Sequence, residues 1–294
     1  MLIRPVNEDD LHTVCLFFAG HGVPFYLLGG GSNLVIADRG VRGAVISLSA
    51  FTSIGIEPSV SPAGEIDAET AVQVRCGAGV AVDDLVRWCR DHSLAGMERF
   101  SGLPGSVGGA VFMNARCYER EIADVFFSSK NMVFSPDGCT LEETVFQAQH
   151  WSYKKSPFQD RCGTSPFELS RGGRCILSAV FNLHPGDSHW LDAEMGKYLA
   201  DRTEKGHFRY PSAGSMFKNN HRFGMPSGKI IDEAGLRGFR VGGACVAPWH
   251  GNIVINDRDG SAADVRSLVE QVRESVRART GFDLECEVVF AGEW

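Results

Sequence analysis

Apolar residues repeat every three or four positions in three parts of the chain, and this spacing predicts three amphipathic helices. The first lies near the N-terminus and the second over 83–91. The third begins at Ser261, whose hydroxyl can cap a helix, and ends at Gly281. The three apolar faces consist of Leu11, Val14, Cys15 and Phe18, then Val82, Leu85, Val86 and Cys89, and finally Val265, Leu268, Val269, Val272 and Val276.

Other segments carry the pattern of strands. An extended apolar run covers 25–28, apolar and polar residues alternate at 72–76, and 175–182 is a further candidate. Residues 284–290 also alternate, which places Leu284, Cys286, Val288 and Phe290 on one face and Glu285 and Glu287 on the other. Residues 102–109 are so rich in glycine and proline that an irregular loop is predicted there.

These elements predict an α+β protein with more than one domain, as 294 residues allow. A polar stretch near 182–188 is the expected boundary. We expect a nucleotide-binding body over 1–185, built of two subdomains at about 1–48 and 49–185. A smaller C-terminal α/β domain would then occupy 186–294.

Composition narrows the class of protein. A net charge of −7 and a pI near 5.7 argue against a nucleic-acid partner. The most apolar N-terminal stretch, 14–20, is too short to cross a bilayer and follows acidic residues, so neither membrane insertion nor a targeting segment is expected. Nine cysteines without any Cys-x-x-Cys spacing predict a reducing, cytoplasmic location without disulfides or a metal site.

Two glycine-rich segments are candidates for phosphate binding. Glycines let a backbone approach a phosphate closely, and hydroxyl or amide side chains add hydrogen bonds. Each segment alone is also compatible with a plain turn or linker, and the first has neither Rossmann nor Walker spacing. Two such loops, both interpreted as flanked by apolar strands, together favour a dinucleotide site. The candidate residues are Gly29, Gly30, Gly31, Ser32, Asn33 and Leu34 in the first segment, and Gly102, Gly105, Ser106, Gly108, Gly109 and Asn114 in and after the second.

A third candidate is Ser215, which lies three positions before Lys218. It is either a proton donor beside an anion-binding amine or a structural turn serine. The segment has no Gly-x-Ser-x-Gly elbow, so hydrolase chemistry fits poorly. Taken singly, the Tyr153-Lys154-Lys155 run, the Glu285/Glu287 pair and His250 are more typical of solvated surfaces or of structural side chains.

Taken together, the segments resemble one enzyme family. They are LGGGSNLVIAD, GAGVAVDDLVRWC, SGLPGSVGGAVFMNA, YKKSPF, PSAGSMFKN, IIDEAGLRG and LECEVVF, and they span nearly the whole chain in order. Each motif is weakly specific, but the ordered set closely resembles the UDP-N-acetylenolpyruvoylglucosamine reductases, in the form without the extra tyrosine-bearing loop.

The resemblance implies a noncovalent FAD in a body similar to vanillyl-alcohol-oxidase (PCMH-type) flavoproteins, with NADPH as hydride donor and a UDP-sugar as substrate. It implies that Ser215 donates a proton to the enolpyruvyl group, while Glu287 and Lys154 support the enolate-like intermediate that forms there. It also places Tyr153, Lys218, Asn219 and His250 near the substrate.

Three features depart from the family pattern. Lys154 stands where the family has arginine, and an ammonium does not reproduce a planar, bidentate guanidinium. Arg116 and Glu119 stand where small residues are usual. The sequence also starts where the family normally has a leading Thr-x-Phe-x-x-Gly-Gly segment, so we expect either a misassigned start or a first lobe built without that segment.

Two other functions stay open at this point. One is a different FAD oxidoreductase of the same fold, such as an oxidase that uses dioxygen, although the motifs around Ser215 and Glu287 count against it. The other is a noncatalytic nucleotide-binding relative, for which Lys154 and the short N-terminus are the arguments.

Overall fold

The computed structural model describes residues 1–58, 71–135, 138–159, 169 and 173–294. Its helices are α1 (Glu8–Gly20), α2 (Val82–Asp91), α3 (Val107–Phe112), α4 (Ser188–Glu204), α5 (Ser227–Glu233) and α6 (Ala262–Thr280), with 3₁₀ turns at Glu98–Phe100, Ile122–Asp124, Ala148–His150 and His221–Phe223.

The strands, in chain order, are β1 (Leu2–Ile3), β2 (Phe25–Leu28), β3 (Leu34–Ile36), β4 (Ala44–Ser47), β5 (Ile54–Glu57), β6 (Val72–Gly77), β7 (Leu94–Ala95), β8 (Arg116–Cys117), β9 (Arg120–Glu121), β10 (Phe126–Ser135), β11 (Gly138–Val145), β12 (Gly173–Pro185), β13 (Ser212–Ser215), β14 (Arg240–Val241), β15 (Ala244–Val246), β16 (Ile253–Asn256) and β17 (Val289–Ala291).

Three helices form where the apolar spacing predicted them. In α2 all four residues of the predicted face are buried. α1 buries Leu11, Cys15 and Phe18 and is capped by Asn7, whose side chain accepts a hydrogen bond from the Asp10 N–H. α6 has the predicted Ser261 cap, completed by a capping box with Asp264, and it ends at Gly281 in the left-handed conformation.

The chain forms two compact units. The first consists of 1–30 and 43–199. It contains a parallel three-stranded sheet, β1-β4-β2, and a six-stranded antiparallel sheet in the order β11-β10-β12-β6-β5, with β7 paired to β12. The predicted strands at 72–76 and 175–182 are thus confirmed as parts of β6 and β12. Its core contains fully buried aromatic side chains, among them Phe25, Phe100, Phe158 and Phe181.

The second unit consists of 31–42 and 200–294. It has a four-stranded antiparallel sheet, β13-β16-β15-β14, and a parallel pair, β17-β3. α5 and α6 bury Ile230, Ile231, Leu268 and Val272 in its core. The pairing of β3 with β17 explains why 31–42 groups with the C-terminal part of the chain, whereas the boundary predicted from polarity alone was at 185.

Two predicted elements differ from the structure. Residues 102–109 are not irregular throughout, because α3 begins at Val107 and buries Val107, Ala110 and Val111. The strand predicted over 284–290 is shorter and later, since β17 covers only Val289–Ala291. The alternation is kept in part of the segment, because Leu284 and Val288 are 1% and 3% exposed while Glu285 is exposed. Cys286, Glu287 and Phe290 are all half-buried, although the pattern assigned Glu287 to the opposite face.

Within the described ranges, no helix combines the length and apolar character that a bilayer crossing requires. The eight cysteines of those ranges are free thiols, whereas Cys162 lies outside them. The same residues contain no group of three or more histidine, cysteine or acidic side chains placed to hold a metal ion.

Candidate active site

The two glycine-rich segments contact each other in the first unit. The Gly30 N–H donates a hydrogen bond of 3.1 Å to the Ser106 hydroxyl. A Cβ added to Gly30 would lie 2.5 Å from the Gly105 Cα and 2.6 Å from the Ser106 nitrogen, which no side chain tolerates. A Cβ on Gly29 would meet the Ser106 hydroxyl at 3.0 Å. Only glycine therefore permits this approach, and the expectation that the loops combine is supported.

Ser106 is the residue that organises the second loop. Its side chain caps α3 by accepting a hydrogen bond from the Gly109 N–H at 3.3 Å. This capped helix overturns the interpretation that both glycine loops are flanked by strands, since only the first lies between two strands, β2 and β3. Because a hydroxyl oxygen that accepts two N–H bonds still has its own proton, Ser106 keeps a donor for an anion.

The other glycines of the second loop shape it from within. The Gly102 N–H donates to Asp83 at 2.8 Å, and the Gly108 N–H donates to the Ala78 carbonyl at 2.9 Å. Gly102 and Gly105 have φ values of 70° and 109°, in the region that favours glycine. The cradle of Gly29, Gly30, Gly105 and Ser106 thus fits the diphosphate of a dinucleotide such as FAD, because no Cβ blocks it and a hydroxyl donor lies in it.

Asn114 fixes the loop to the neighbouring turn. Its side chain is fully buried, and its amide donates to the Glu121 carboxylate and to the Ser152 carbonyl, each at 2.9 Å. Its oxygen accepts a hydrogen bond from the Ala123 N–H at 3.0 Å. These bonds occupy the side-chain amide and tie the residue after α3 to the neighbouring segments, and cofactor binding by Asn114 stays a prediction.

Tyr153 and Lys154 form a tight turn just after that contact. Ser152 and Lys155 close the turn through reciprocal backbone hydrogen bonds of 3.3 and 2.9 Å, and Lys154 has a left-handed φ of 57°. The Arg116 guanidinium lies 5.7 Å from the centre of the Tyr153 ring. Lys154 is half-buried whereas Lys155 is exposed, so the two lysines are not equivalent parts of a solvated surface.

In the second unit, the segment after Ser215 runs beside the segment before β17. The Glu287 N–H donates to the Met216 carbonyl at 2.8 Å, and the Lys218 N–H donates to the Glu285 carbonyl at 2.9 Å. Ser215 itself ends β13, where it pairs with Ile253. Three of the residues predicted for chemistry and substrate binding, Ser215, Lys218 and Glu287, are therefore brought together on adjacent backbone segments.

Asn33 and Asn219, predicted for cofactor and substrate, also make contacts in this unit. The Asn33 amide donates to the Glu287 carbonyl at 3.0 Å, and the Asn33 carbonyl accepts from the Val289 N–H at 3.0 Å. The Asn219 oxygen accepts from the Ser227 N–H at 2.9 Å. Asn33 thus holds the backbone on which Glu287 is carried.

His250 is held as a neutral imidazole. Burial lowers its pKa most, with a smaller contribution from Arg237. Its Nδ1 accepts a hydrogen bond of 3.1 Å from the Asn252 N–H, which assigns the ring proton to Nε2. His207, whose ring centre lies 6.2 Å away, has a pKa lowered to about 4 by burial first and by Arg202 next.

The sequence analysis missed two residues of this region. Glu285 pairs with Lys218 at 2.6 Å, although alternation assigned it only to an exposed face. Asn252 is 4% exposed and bonds to the backbone around Ser215. Asn252 could have been found from its position directly before an apolar strand, because an amide buried there needs hydrogen-bond partners.

The chain is similar in sequence to known protein families and to named proteins. The model of the FAD binding domain matches residues 1–142, and that of UDP-N-acetylenolpyruvoylglucosamine reductase, C-terminal domain, matches 206–291. A Treponema denticola protein named UDP-N-acetylenolpyruvoylglucosamine reductase is 45% identical over 100% of this chain and 88% of its own length. A Treponema pallidum protein of the same name is 44% identical over 92% of this chain and 82% of its own length.

Among solved structures, the UDP-N-acetylenolpyruvylglucosamine reductase of Thermus caldophilus superposes with a TM-score of 0.73 at 28% identity. The match covers 98% of this chain and 91% of that protein. The predicted fold class, an FAD-binding body with a smaller C-terminal domain, is thereby confirmed. By sequence and by structure, the chain belongs to the family of the UDP-N-acetylenolpyruvoylglucosamine reductases.

Proposed function

We propose that this protein reduces the enolpyruvyl group of UDP-N-acetylenolpyruvoylglucosamine to the lactyl ether of UDP-N-acetylmuramate, with NADPH as the reductant, in peptidoglycan precursor synthesis. The observation that carries the proposal is the pairing of the Ser215–Lys218 segment with Glu285–Glu287. It joins a hydroxyl, an ammonium and carboxylates in the unit whose sequence matches the reductase C-terminal domain.

The first unit supplies the place for FAD. Gly29, Gly30, Gly105 and Ser106 would hold its diphosphate, because they form a cradle without side-chain obstruction. A bound FAD would supply the relay of hydride from NADPH to the terminal carbon of the enolpyruvyl group. A cytoplasmic location follows from the proposal, since NADPH and nucleotide sugars are made and used there.

The chain's own residues then control the proton and the charge. Ser215 donates its hydroxyl proton to the carbon next to the one that receives hydride, which is the step that completes the reduction. Lys154 stabilises the negative charge that develops during this transfer, as a placed cation does at an oxyanion site, and Glu287 supports the same intermediate. Both side chains depend on fixed backbones, Glu287 through Asn33 and Lys154 through its closed turn.

Binding of the UDP-sugar falls to the remaining predicted residues. Lys218 offers an ammonium to an anionic group, and Tyr153 offers an aromatic face beside Arg116. His250, with its proton on Nε2, offers a neutral donor. Asn219 is held by Ser227 at the start of α5, which keeps the backbone after Lys218 in place.

The proposed function is tested by measuring the reaction directly. Purified protein, NADPH and the enolpyruvyl UDP-sugar should yield UDP-N-acetylmuramate, identified by mass, with one NADPH consumed per product. The same mixture with Ser215→Ala is the control. NADPH consumption that requires dioxygen and gives no lactyl product would instead identify an oxidase. Uptake of FAD without either reaction would identify a noncatalytic relative.

A further inference from the structure

Asn252 makes contacts in the second unit that go beyond ordinary strand pairing. Its side-chain oxygen accepts a hydrogen bond from the Phe217 N–H at 2.9 Å, and its amide donates to the Phe217 carbonyl at 2.8 Å. Its own carbonyl accepts from the Met216 N–H at 2.8 Å. One residue thus bonds to both residues that follow Ser215, and it does so while buried.

The same residue also bonds towards His250. The Asn252 N–H donates to His250 Nδ1 at 3.1 Å, so the imidazole keeps its proton on Nε2. The intervening Gly251 packs tightly, since a Cβ there would lie 2.4 Å from the Gly228 carbonyl oxygen. The turn between His250 and Asn252 therefore has little freedom to move apart from the Ser215 segment.

The chemistry of the amide explains why asparagine serves here. Phe217 presents one donor and one acceptor of its backbone to the side chain, and a primary amide satisfies both at once. An aspartate would set a carboxylate oxygen against the Phe217 carbonyl. An alanine would leave a buried N–H and a buried carbonyl without these partners, which buried backbone groups do not tolerate well.

We infer that Asn252 is a positioning residue for the proton transfer. Its side chain holds the backbone between Ser215 and Lys218 in place. Its backbone N–H bonds to Nδ1 of His250 and so fixes the tautomer of that ring. This inference rests on the proposed function, in which Ser215 is the proton donor, and it assigns Asn252 no contact with the reacting atoms.

Asn256 provides a matched control at the other end of β16, the strand that directly follows Asn252. Its amide donates to the Gly260 carbonyl at 2.8 Å, and its oxygen accepts from the Gly260 N–H at 2.7 Å. Asn256→Ala therefore removes a comparable pair of bonds from a side-chain amide to a backbone, without touching the Ser215 segment. A loss of stability alone should affect both variants alike.

The experiment is a double-mutant cycle between Asn252→Ala and Ser215→Ala, in which stopped-flow absorbance follows the reoxidation of reduced FAD by the enolpyruvyl UDP-sugar. Asn252→Ala should slow this step by about 10- to 100-fold when Ser215 is present, and by less than about twofold in the Ser215→Ala background, because positioning matters only for a donor that exists. FAD content and reduction by NADPH should stay within about twofold of the wild type.

One further measurement and one further variant test the role of Asn252 independently. Hydrogen exchange at the Met216 and Phe217 amides should accelerate in Asn252→Ala and stay unchanged in Asn256→Ala. If Asn252→Ala does not fold, Asn252→Asp is measured in the same cycle. Equal slowing in both Ser215 backgrounds, or equal slowing by Asn256→Ala, would overturn the inference. Reoxidation of reduced FAD at the normal rate in Ser215→Ala itself would instead defeat the proposed role of Ser215.

Discussion

The ammonium of Lys218 lies 2.6 Å from a carboxylate oxygen of Glu285, and the backbones of the two residues are also hydrogen-bonded at 2.9 Å. The Glu285 side chain is 72% exposed while that of Lys218 is 24% exposed. The pair is therefore accessible to an anionic ligand, which would compete with Glu285 for the ammonium.

Replacing Glu285 by glutamine should strengthen substrate binding. Without the carboxylate, the Lys218 ammonium no longer has a competing anionic partner when an anionic UDP-sugar binds. The interaction free energy of an exposed ion pair of this kind is about 0.2–1 kcal/mol. We expect KM to fall by up to about fivefold at low salt with little change in kcat, and the difference to shrink at high salt. Glu233→Gln, which removes the partner of the exposed Lys229, is the control. A raised KM would show that Glu285 itself helps to bind substrate.

A side chain at Gly30 should damage the cofactor site. Gly30→Ala places a Cβ inside contact distance of Gly105 and Ser106, and both are backbone contacts that cannot rotate away. We expect the protein to lose about 1–3 kcal/mol of stability and to purify with less FAD, measured by thermal unfolding and by absorbance. Gly196→Ala in α4 meets nothing within 4 Å and should be neutral or stabilising. Full FAD content in Gly30→Ala would show that these loops do not bind the cofactor.

Local patterns were sufficient for α2 and α6 because their signals lie within the elements themselves. The buried faces and the Ser261 cap depend on residues three and four positions apart, which a sequence shows directly. α3 was missed because its two internal glycines hid the short apolar face, and the decisive contact, the Ser106 cap, was assigned only to phosphate binding.

Long-range pairing could not be predicted in the same way. The Asn33 amide bonds to the Glu287 carbonyl across 254 residues, and β3 pairs with β17 at the same place. Neither the sequence around β3 nor that around β17 has a pattern from which the pairing of the two strands could be predicted. The role of Asn252 could not be predicted for a related reason. Its side chain bonds to the backbone N–H and carbonyl of Phe217, and nearly every residue type has these groups, so the sequence does not show which residue is the partner.

His207 should make the protein lose stability in mild acid. Its pKa in the folded state is about 4, below the ordinary 6.5, mainly because burial penalises the charged ring. The unfolded chain therefore takes up a proton first, so stability is complete above about pH 6.5 and falls as the pH drops towards 4. Since the ring is only part-buried, we expect an effect of about 1 kcal/mol, or a Tm change of about 2–4 °C.

The measurement is the Tm of wild type and of His207→Gln between pH 7.5 and 4.5. The variant should lose less Tm than the wild type over this range, because the residue that titrates has been removed. His12→Gln, at an exposed position of α1, should follow the wild type. Parallel curves for wild type and His207→Gln would contradict the assignment.

Lys154 should provide the cation that the reaction needs. Lys154→Ala is expected to lower kcat by about 100-fold or more, comparable to loss of an oxyanion-stabilising donor, whereas Lys154→Arg should retain activity. The neighbouring Lys155→Ala is the matched control, because that side chain is exposed and one position away. Near-normal turnover of Lys154→Ala, with a loss in Lys155→Ala, would transfer the role to Lys155.

Ser215 should separate the two halves of the reaction. Reduction of bound FAD by NADPH does not need the hydroxyl proton, so Ser215→Ala should reduce FAD at close to the wild-type rate. Reoxidation of the reduced FAD by the enolpyruvyl UDP-sugar needs that proton, and loss of a positioned donor typically costs about 10²- to 10⁴-fold. Stopped-flow absorbance resolves the two steps, with Ser212→Ala on the same strand as control and Ser215→Cys expected to recover part of the loss. Equal slowing of both steps would mean that Ser215 shapes the site without donating a proton.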